Sequence, residues 1–357
     1  MLHRTKLQSQ MGMTMGAPPP NSEEELERLL SEPTQGVIET IRNTGGDIIV
    51  LGAGGKMGPT LARMARRALD AVRPGDKVIA VSRFSNAEAA HRLRSASVEA
   101  VSCDLTDRDA VAKLPDAPNV IFMAGQKFGT NDAPAATWMM NAVVPSIIAE
   151  RYSGSRIVAF STGNVYPFVP VASGGSTEDD RLAPVGEYAA SCLARERILT
   201  WHSEHAHTPM AIVRLNYAVE LRYGVLVDIA RKVSSGVPVD VSMGYFNVIW
   251  QGDACARAIE CLPHASSPPF ILNVTGTQTL ATRSIADYFG NVLGKPAVIE
   301  GEEDEDALLS NAGRMAELMG EPEVSVGQMM VWIADWIQRG RPLLDKPTHF
   351  EERGGRF

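Results

Sequence analysis

The fold is decided by the segment Ile48-Ile49-Val50-Leu51-Gly52-Ala53-Gly54-Gly55-Lys56-Met57-Gly58. Four apolar residues predict a buried strand, four glycines predict a tight turn, and apolar residues at helical spacing follow the last glycine. Glycines let the chain turn sharply and bring backbone N–H groups close to a ligand, and the next helix N-terminus adds unpaired donors and a positive dipole end. The segment therefore predicts a strand–turn–helix unit that binds phosphate groups.

The alternation of strands and helices continues well beyond this unit. Amphipathic helices separate six predicted apolar strands, at 47–51, 77–81, 98–102, 119–123, 156–160 and 210–214. Strands that are apolar throughout, rather than at every second residue, are typical of a parallel sheet covered by helices on both faces. We therefore predict an α/β fold, a Rossmann-type doubly wound parallel sheet.

The regular alternation weakens after Arg214, which predicts a smaller C-terminal substrate lobe. Before the sheet, Ser22 and Glu25 form a capping box at the start of a short helix. The predicted organisation is a disordered N-terminus at 1–20, a helical extension at 21–45, a nucleotide-binding domain at 46–215, a lobe partly packed on the sheet at 216–340, and an exposed polar tail at 341–357.

The composition argues against several classes of protein. A formal net charge of −8 argues against a nucleic-acid partner, which usually needs a basic surface. No apolar stretch reaches the roughly 18 residues that a membrane helix requires, so we expect no membrane partner. The four cysteines match no zinc or redox spacing and are expected to be reduced thiols of a cytoplasmic protein. His202, His205 and His207 lack a carboxylate or cysteine at metal-ligand spacing, so we expect no metal site.

The end of the second strand bears on which dinucleotide the glycine turn would bind. NAD enzymes of this fold place an acidic residue there, to bind the ribose 2′-hydroxyl. Here Ser82 takes that place and Arg83 follows it. A guanidinium suits the 2′-phosphate of NADP, and Lys56 in the glycine turn is expected to add a second cation nearby. The pattern favours NADP as the cofactor, with NAD as the alternative.

Further contacts to the dinucleotide are expected where the third and fourth strands end. Asp104-Leu105 would flank the adenine, and the small residues Ala124-Gly125 would pass under the cofactor. The complete predicted cofactor-binding set is Gly52, Gly55, Lys56, Met57, Gly58, Ser82, Arg83, Asp104, Leu105, Ala124 and Gly125.

A series of short motifs follows the glycine turn in a fixed order. They are Asp104-Leu105, Val120-Ile121-Phe122-Met123-Ala124-Gly125, Asn141, Phe160-Ser161-Thr162-Gly163-Asn164-Val165-Tyr166-Pro167, Tyr188-Ala189-Ala190-Ser191 with Glu196, and Val248-Ile249-Trp250-Gln251-Gly252-Asp253-Ala254. In this order, over about residues 46–340, the sequence resembles the extended short-chain dehydrogenases/reductases, also called the NAD-dependent epimerase/dehydratase family. The resemblance implies hydride transfer to or from a nicotinamide, on a sugar or sugar derivative that includes nucleotide sugars.

The same resemblance implies a catalytic pair. In the family a tyrosine acts as general acid and base, a serine or threonine assists it, and a lysine four residues after the tyrosine lowers its pKa. By position Tyr188 is the tyrosine and Thr162 the hydroxyl residue, but the lysine position holds Cys192. A phenol has an ordinary pKa near 10, and cysteine supplies no positive charge to lower it. Lys127 and Arg195 are the candidate substitute cations.

Two functions therefore stay open. One is an NADP-dependent oxidoreductase or epimerase that works through Tyr188 and Thr162. The other is an NAD(P)-binding sensor or regulatory protein, in which Cys192 would record the loss of catalysis.

The resemblance also implies a homodimer, because the long helices after the fourth and fifth strands often pair across a two-fold axis in this family. Here those helices are predicted at 133–152 and 187–204. The first helix carries more apolar residues than one buried stripe needs, so some are expected to face a partner. These residues are Trp138, Val143, Ile147 and Ile148.

Overall fold

The computed structural model describes residues 17–130, 132–346 and 348–356. Within these residues, the centre of the protein is a seven-stranded sheet whose paired neighbours all run parallel. The strands are β1 (Ile48–Leu51), β2 (Val78–Ser82), β3 (Glu99–Ser102), β4 (Asn119–Phe122), β5 (Arg156–Thr162), β6 (Met210–Leu215) and β7 (Phe270–Val274). Their order across the sheet is β7-β6-β5-β4-β1-β2-β3. The winding reverses between β1 and β4, so the predicted Rossmann-type, doubly wound fold is confirmed.

Helices cover the sheet and also build the smaller lobe. They are α1 (Glu23–Leu30), α2 (Gln35–Thr44), α3 (Gly58–Val72), α4 (Ala87–Arg94), α5 (Arg108–Ala112), α6 (Pro134–Trp138), α7 (Val144–Arg151), α8 (Gly186–Ala206), α9 (Val225–Ser235), α10 (Gln251–Glu260), α11 (Thr282–Leu293), α12 (Gly313–Met319) and α13 (Val326–Gln338). Short strands pair outside the central sheet at Val169–Pro170, Ala218–Val219, Val239–Asp240, Tyr245–Phe246, Ile249–Trp250, Leu280–Ala281, Ile299–Glu300 and Asp306–Ala307.

The continuous apolar pattern of β1 has a direct structural cause. Successive side chains of a strand point to opposite faces of the sheet. Ile48 and Val50 therefore enter the hydrophobic cluster on one face, while Ile49 and Leu51 enter the cluster on the other. Both faces are covered, so every residue of the strand is buried.

Strand β7 comes from the part of the chain that was predicted to form a lobe partly packed on the sheet. Its residues, Phe270–Val274, pair in parallel with β6 at the edge of the central sheet. The pairing runs in register from Phe270 opposite Ala211 to Val274 opposite Leu215. The division of the chain at residue 215 therefore does not separate the sheet from the lobe.

The long helix predicted at 133–152 is interrupted rather than continuous. A π-helical segment, Met139–Val143, joins α6 to α7. Pro145 lies in the first turn of α7 and has no N–H to donate to the carbonyl of Asn141. Such local bulges accommodate a missing donor and are frequent at functional sites. Here the bulge frees the Asn141 carbonyl for another partner, Arg195, whose Nε lies 3.3 Å away.

Within the N-terminal extension, helix α1 packs in the smaller lobe, whereas Val37 and Ile41 of α2 pack in a hydrophobic cluster on the central sheet. The backbone N–H of Glu25 donates to Ser22 Oγ at 3.1 Å, and the Glu25 carboxylate accepts from the N–H of Asn21 rather than from that of Ser22. Leu26 and Leu30 of α1 are fully buried in the hydrophobic cluster of the lobe. The prediction of disorder at 1–20 falls mostly outside the described residues, but Ala17 accepts a hydrogen bond from Trp332 Nε1 at 2.9 Å, contrary to that prediction.

The apolar residues considered for a dimer divide into two groups. Ile147 and Ile148 are buried in the protein's own core, so they form the buried stripe and are not among the residues that could face a partner. Trp138 and Val143 are exposed, and Trp201 on the neighbouring helix α8 is 56% exposed. In the described part of the chain, no helix is both long and apolar enough to cross a membrane.

The C-terminal residues are not the exposed tail that we predicted. Phe350 is 1% exposed and packs edge-on against Phe246 of the lobe, with ring centres 5.8 Å apart. The backbone N–H and the hydroxyl of Thr348 both donate to Asp228 Oδ2, each at 2.7 Å. Because the segment is mostly polar, its sequence did not indicate that Phe350 and Thr348 are buried.

Replacement of Phe350 tests this packing. Phe350→Ala is expected to lower the free energy of unfolding by about 3–5 kcal/mol, because it removes a fully buried aromatic side chain and leaves a cavity. Urea unfolding followed by circular dichroism measures the change. Leu344→Ala is the control, since Leu344 is 39% exposed and should cost far less. Equal losses for the two variants would contradict the buried tail.

Candidate functional site

The glycine turn lies where the winding of the sheet reverses, at the carboxyl ends of β1 and β4. Gly52 has a φ of +91°, and a Cβ there would lie 2.5 Å from the backbone nitrogen of Ala124. A Cβ at Gly58 would lie 2.5 Å from the carbonyl oxygen of Ala53. These glycines are therefore required by close backbone packing, which holds the N-terminus of α3 over the ends of the two strands.

One cavity, which we call the loop cavity, extends from the glycine turn across the ends of β2, β3 and β4. Its volume is about 330 Å³. It brings together most of the predicted cofactor-binding residues, namely Gly52, Gly55, Ser82, Arg83, Asp104, Leu105, Ala124 and Gly125. Gly54 of the glycine turn also lines it, as do Phe84 and Asn86, which the sequence pattern did not indicate.

The end of β2 lies against the glycine turn and leaves no room for a side chain at position 54. A Cβ at Gly54 would lie 2.5 Å from Ser82 Oγ, so the turn packs directly onto the serine. Arg83 follows with an exposed side chain. Hydrogen bonds from Thr106 lower the pKa of the Asp104 carboxyl, and the Arg83 charge lowers it further. Arg83 is thus the cation beside this part of the loop cavity.

Lys56 does not lie beside Arg83, contrary to the prediction. Its Nζ lies 3.4 Å from the centre of the Tyr223 ring, and the residue lines a second cavity rather than the loop cavity. Lys56 and Met57 enter this second cavity from the glycine turn, so the turn borders both cavities. Desolvation by the surrounding protein atoms lowers the pKa of the Lys56 ammonium to about 7, and the negative charge of Glu220 partly opposes this shift.

The second cavity, which we call the tyrosine cavity, contains the predicted catalytic pair. Tyr188 on α8 and Thr162 at the end of β5 both line it, and their side chains are hydrogen-bonded. Burial raises the pKa of Tyr188 well above its ordinary value, Cys192 raises it further, and the Thr162 hydrogen bond opposes the shift. In this state Tyr188 is a neutral phenol that holds its proton.

Cys192 lies one helical turn beyond Tyr188 and is hydrogen-bonded to it. The thiol is 1% exposed, and burial raises its pKa, so it stays neutral. It therefore supplies no positive charge to the phenol.

The two candidate substitute cations differ in their surroundings. Arg195 is buried behind the cavity, where it donates to the Phe160 carbonyl at 2.7 Å and to Asn141 Oδ1 at 2.9 Å. Lys127 lines the tyrosine cavity, with its Nζ 5.8 Å from the centre of the Tyr188 ring. Burial lowers the pKa of Lys127 to about 8. Lys127 is therefore the candidate with access to the cavity, while Arg195 lies behind the cavity, where its charge lowers the pKa of Tyr188.

A buried polar network beneath the cavity fixes the position of α8. Arg214 on β6 and Glu196 on α8 form an ion pair at 2.8 Å, and the side chains are 3% and 4% exposed. Ser161 donates to Glu196 at 2.5 Å, and Arg214 donates to the Tyr166 hydroxyl at 2.7 Å. The network joins α8 to β5 and β6, and Tyr188 is thereby held at the ends of these strands.

Several residues of the tyrosine cavity were not found by sequence reasoning. Tyr223 and Thr348 line it from the lobe and from the C-terminal segment, and neither belongs to a motif. Asn164 follows Thr162 and accepts its hydroxyl hydrogen bond at 3.0 Å. In the sequence, only the position of Asn164 within the motif at 160–167 indicated that it could belong to the site. Among the described residues, no group of three or more histidine, cysteine, aspartate or glutamate side chains is arranged to hold a metal ion.

Comparison with protein families matches residues 48–219 to the NAD dependent epimerase/dehydratase family. The matched span contains the glycine turn, Thr162, Tyr188 and Cys192. This part of the chain belongs to the NAD-dependent epimerase/dehydratase family. The family resemblance inferred from the motifs is thus confirmed. Comparison with curated proteins gave no match.

Solved structures show the same fold over most of the chain. The UDP-glucose 4-epimerase of Thermus thermophilus, in complex with NAD, is 19% identical, with a TM-score of 0.66 over 82% of this chain and 99% of the epimerase. The dTDP-glucose 4,6-dehydratase DesIV of Streptomyces venezuelae, with NAD bound, is 17% identical, with a TM-score of 0.68 over 82% and 97%. The UDP-glucuronic acid 4-epimerase of Bacillus cereus, with NAD, is 17% identical, with a TM-score of 0.68 over 82% and 99%. At these identities the similarity establishes the fold.

Proposed function

We propose that this protein is an enzyme that binds a nicotinamide dinucleotide, NADP in preference to NAD, and transfers hydride to or from a sugar or sugar derivative. The observation that carries the proposal is the position of the glycine turn, which borders both the loop cavity and the tyrosine cavity. A ligand extended along the turn would reach from Arg83 at one end to Tyr188 at the other. Membership of the epimerase/dehydratase family supports the substrate class.

The residues present fit such a cofactor. The turn presents no side chain at Gly52, Gly54 or Gly55, and the N-terminus of α3 offers donors to a pyrophosphate. The loop cavity would hold the adenosine half, with Asp104 and Arg83 beside it. When bound, the nicotinamide would supply or accept a hydride.

Proton transfer would be the task of this chain's own residues. Tyr188 would give its proton to a carbonyl oxygen or take one from a hydroxyl, and the Thr162 hydroxyl would hold that oxygen in place. The raised pKa of Tyr188 keeps the proton on the phenol until a reacting oxygen arrives. Lys127 would supply the positive charge that the lysine in place of Cys192 supplies in the family.

One observation favours the alternative, a sensor or regulatory protein that binds the dinucleotide without turnover. Cys192 is a buried, neutral thiol, and together with burial it raises the pKa of Tyr188. Such a site keeps the residues that would bind the cofactor, but it lacks the lysine that would stabilise a phenolate at Tyr188.

Substitution of Arg83 tests the cofactor preference. Arg83→Ala should weaken NADP(H) binding about 10- to 100-fold and leave NAD(H) binding nearly unchanged, because it removes a charge-assisted contact to the 2′-phosphate worth roughly 1.5–3 kcal/mol. Isothermal titration calorimetry with both cofactors measures the effect. Arg94→Ala is the matched control, since Arg94 donates to the Ala100 carbonyl outside the cavity. Equal or tighter NAD binding by the unaltered protein would refute the preference.

Substitutions at the tyrosine cavity separate the enzyme from the sensor. We expect Tyr188→Phe and Lys127→Met each to slow single-turnover oxidation of bound NADPH by about 10²-fold or more, because each removes part of the proton-transfer machinery. Cys192→Lys should preserve or raise the rate and move the pH optimum downward, since an ammonium one turn from the phenol lowers its pKa. The substrates are a panel of keto-sugars and sugar nucleotides. Activity that survives Tyr188→Phe would exclude the tyrosine mechanism, and tight cofactor binding without turnover would favour the sensor.

We also propose a homodimer formed by α6, the π segment, α7 and α8. Trp138, Val143 and Trp201 give these helices an exposed apolar surface. Light scattering at micromolar concentration should give the mass of a dimer, and Trp201→Glu should give a monomer, because burial of a charge at the interface is costly. Leu318→Glu, on the exposed end of α12, should leave the mass unchanged. A monomeric unaltered protein would contradict the proposal.

A further inference from the structure

We propose that the tyrosine cavity takes a small, free sugar derivative that carries an anionic group, and that Lys56 binds this group. The inference rests on the proposed function, because it takes Tyr188 as the reacting end of the same cavity. It narrows the substrate class to molecules without a nucleotide.

The charged side chains that line the cavity are both cationic. Among the described residues that line the tyrosine cavity, Lys56 and Lys127 are the charged side chains, and there is no carboxylate. The other polar groups of the lining are amides and hydroxyls, which suit the hydroxyl groups of a sugar. A cavity of one charge sign attracts a ligand of the opposite sign.

Lys56 is placed to meet a ligand rather than a protein carboxylate. Its Nζ lies over the face of Tyr223, 3.4 Å from the ring centre. The nearby Glu220 is 1% exposed and is already paired, because Arg222 Nε lies 3.1 Å from one of its oxygens and 3.2 Å from the other. An anionic group in the cavity would give the Lys56 ammonium a partner of full opposite charge.

A second, independent group in the lining lacks a partner. Asn216 is 2% exposed, and its Nδ2 donor makes no hydrogen bond with the described residues. A buried donor without an acceptor is energetically unfavourable, and such a donor is typical of a site that a ligand completes. Asn216 lines the same cavity as Lys56, so a substrate oxygen there would satisfy it.

The size of the cavity favours a small ligand. Its volume is about 150 Å³, below the roughly 300–1,000 Å³ of pockets that hold drug-sized ligands. Thr348 of the C-terminal segment forms part of its wall. The segment then passes over the start of α8, where Gly355 packs closely against the Val185 backbone, and Arg353 pairs with Asp304 at 3.0 Å. This packing holds the segment beside the cavity.

Binding to the full chain saturated with NADPH tests the inference. The probes are aldonates of three to six carbons, sugar phosphates of matched length, the matched neutral alditols, and UDP-glucose. Saturation-transfer NMR and competition titrations give the affinities. At least one aldonate or sugar phosphate should bind about 10-fold or more tightly than its alditol, a difference of about 1.4 kcal/mol. The two anionic series distinguish a carboxylate from a phosphate substrate.

Three variants test whether Lys56 causes the preference for an anionic probe over its alditol. Lys56→Met should reduce the preference for the anion to less than about 3-fold, while Lys56→Arg should retain most of it, since the charge remains. Lys113→Met is the control, because Lys113 is an exposed lysine outside the cavity and its loss should leave the preference unchanged. Circular dichroism verifies that each variant is folded.

Several results would overturn the inference: no anionic probe binds, alditols bind as well as the acids, UDP-glucose binds most tightly, or Lys56→Met keeps the full preference. The same samples are titrated with NADPH. If the unaltered protein does not bind NADPH, the proposed function is refuted instead. The failure of the inference and the failure of the proposed function are therefore distinguishable.

Discussion

The candidate chemistry depends on the ion pair between Glu196 and Arg214, which fixes α8 against the sheet. The two side chains are almost fully buried, and Ser161 adds a hydrogen bond to the carboxylate. Removal of one partner from such a pair leaves an uncompensated buried charge and typically costs about 3–5 kcal/mol. The helix therefore has one stable position. Tyr188 lies two turns before Glu196 on this helix. The Glu196–Arg214 ion pair therefore also holds the Tyr188 phenol next to Thr162 at the end of β5.

Much of the fold was predictable because its causes are local. The glycine turn is required by backbone contacts with Ala53 and Ala124, and only glycine permits them. A strand buried on both faces must be apolar throughout, as β1 is. The candidate pair, Thr162 and Tyr188, was predictable for a different reason, since both residues occur within motifs of the family that matches residues 48–219.

The remaining parts of the site depend on long-range packing, which a local pattern does not record. Nothing in the sequence around Lys56 indicates whether its side chain turns toward Arg83 or toward Tyr223. The edge strand Phe270–Val274 resembles any short apolar run until its pairing with β6 is known. Lys127, in the loop after β4, is far from Tyr188 in sequence, and only the folded chain brings its Nζ to 5.8 Å from the centre of the Tyr188 ring.

The wall of the tyrosine cavity also has a consequence for the order of folding. Lys56, Tyr188 and Thr348 come from distant parts of the chain, and the hydrogen bond between Thr348 and Asp228 closes a loop of 120 residues. Contacts of such sequence separation form only after the entropy of loop closure has been overcome, and they slow folding. The strand–turn–helix unit around Gly52 needs no such closure. The surface of the loop cavity next to the glycine turn is therefore expected to form before the complete wall of the tyrosine cavity.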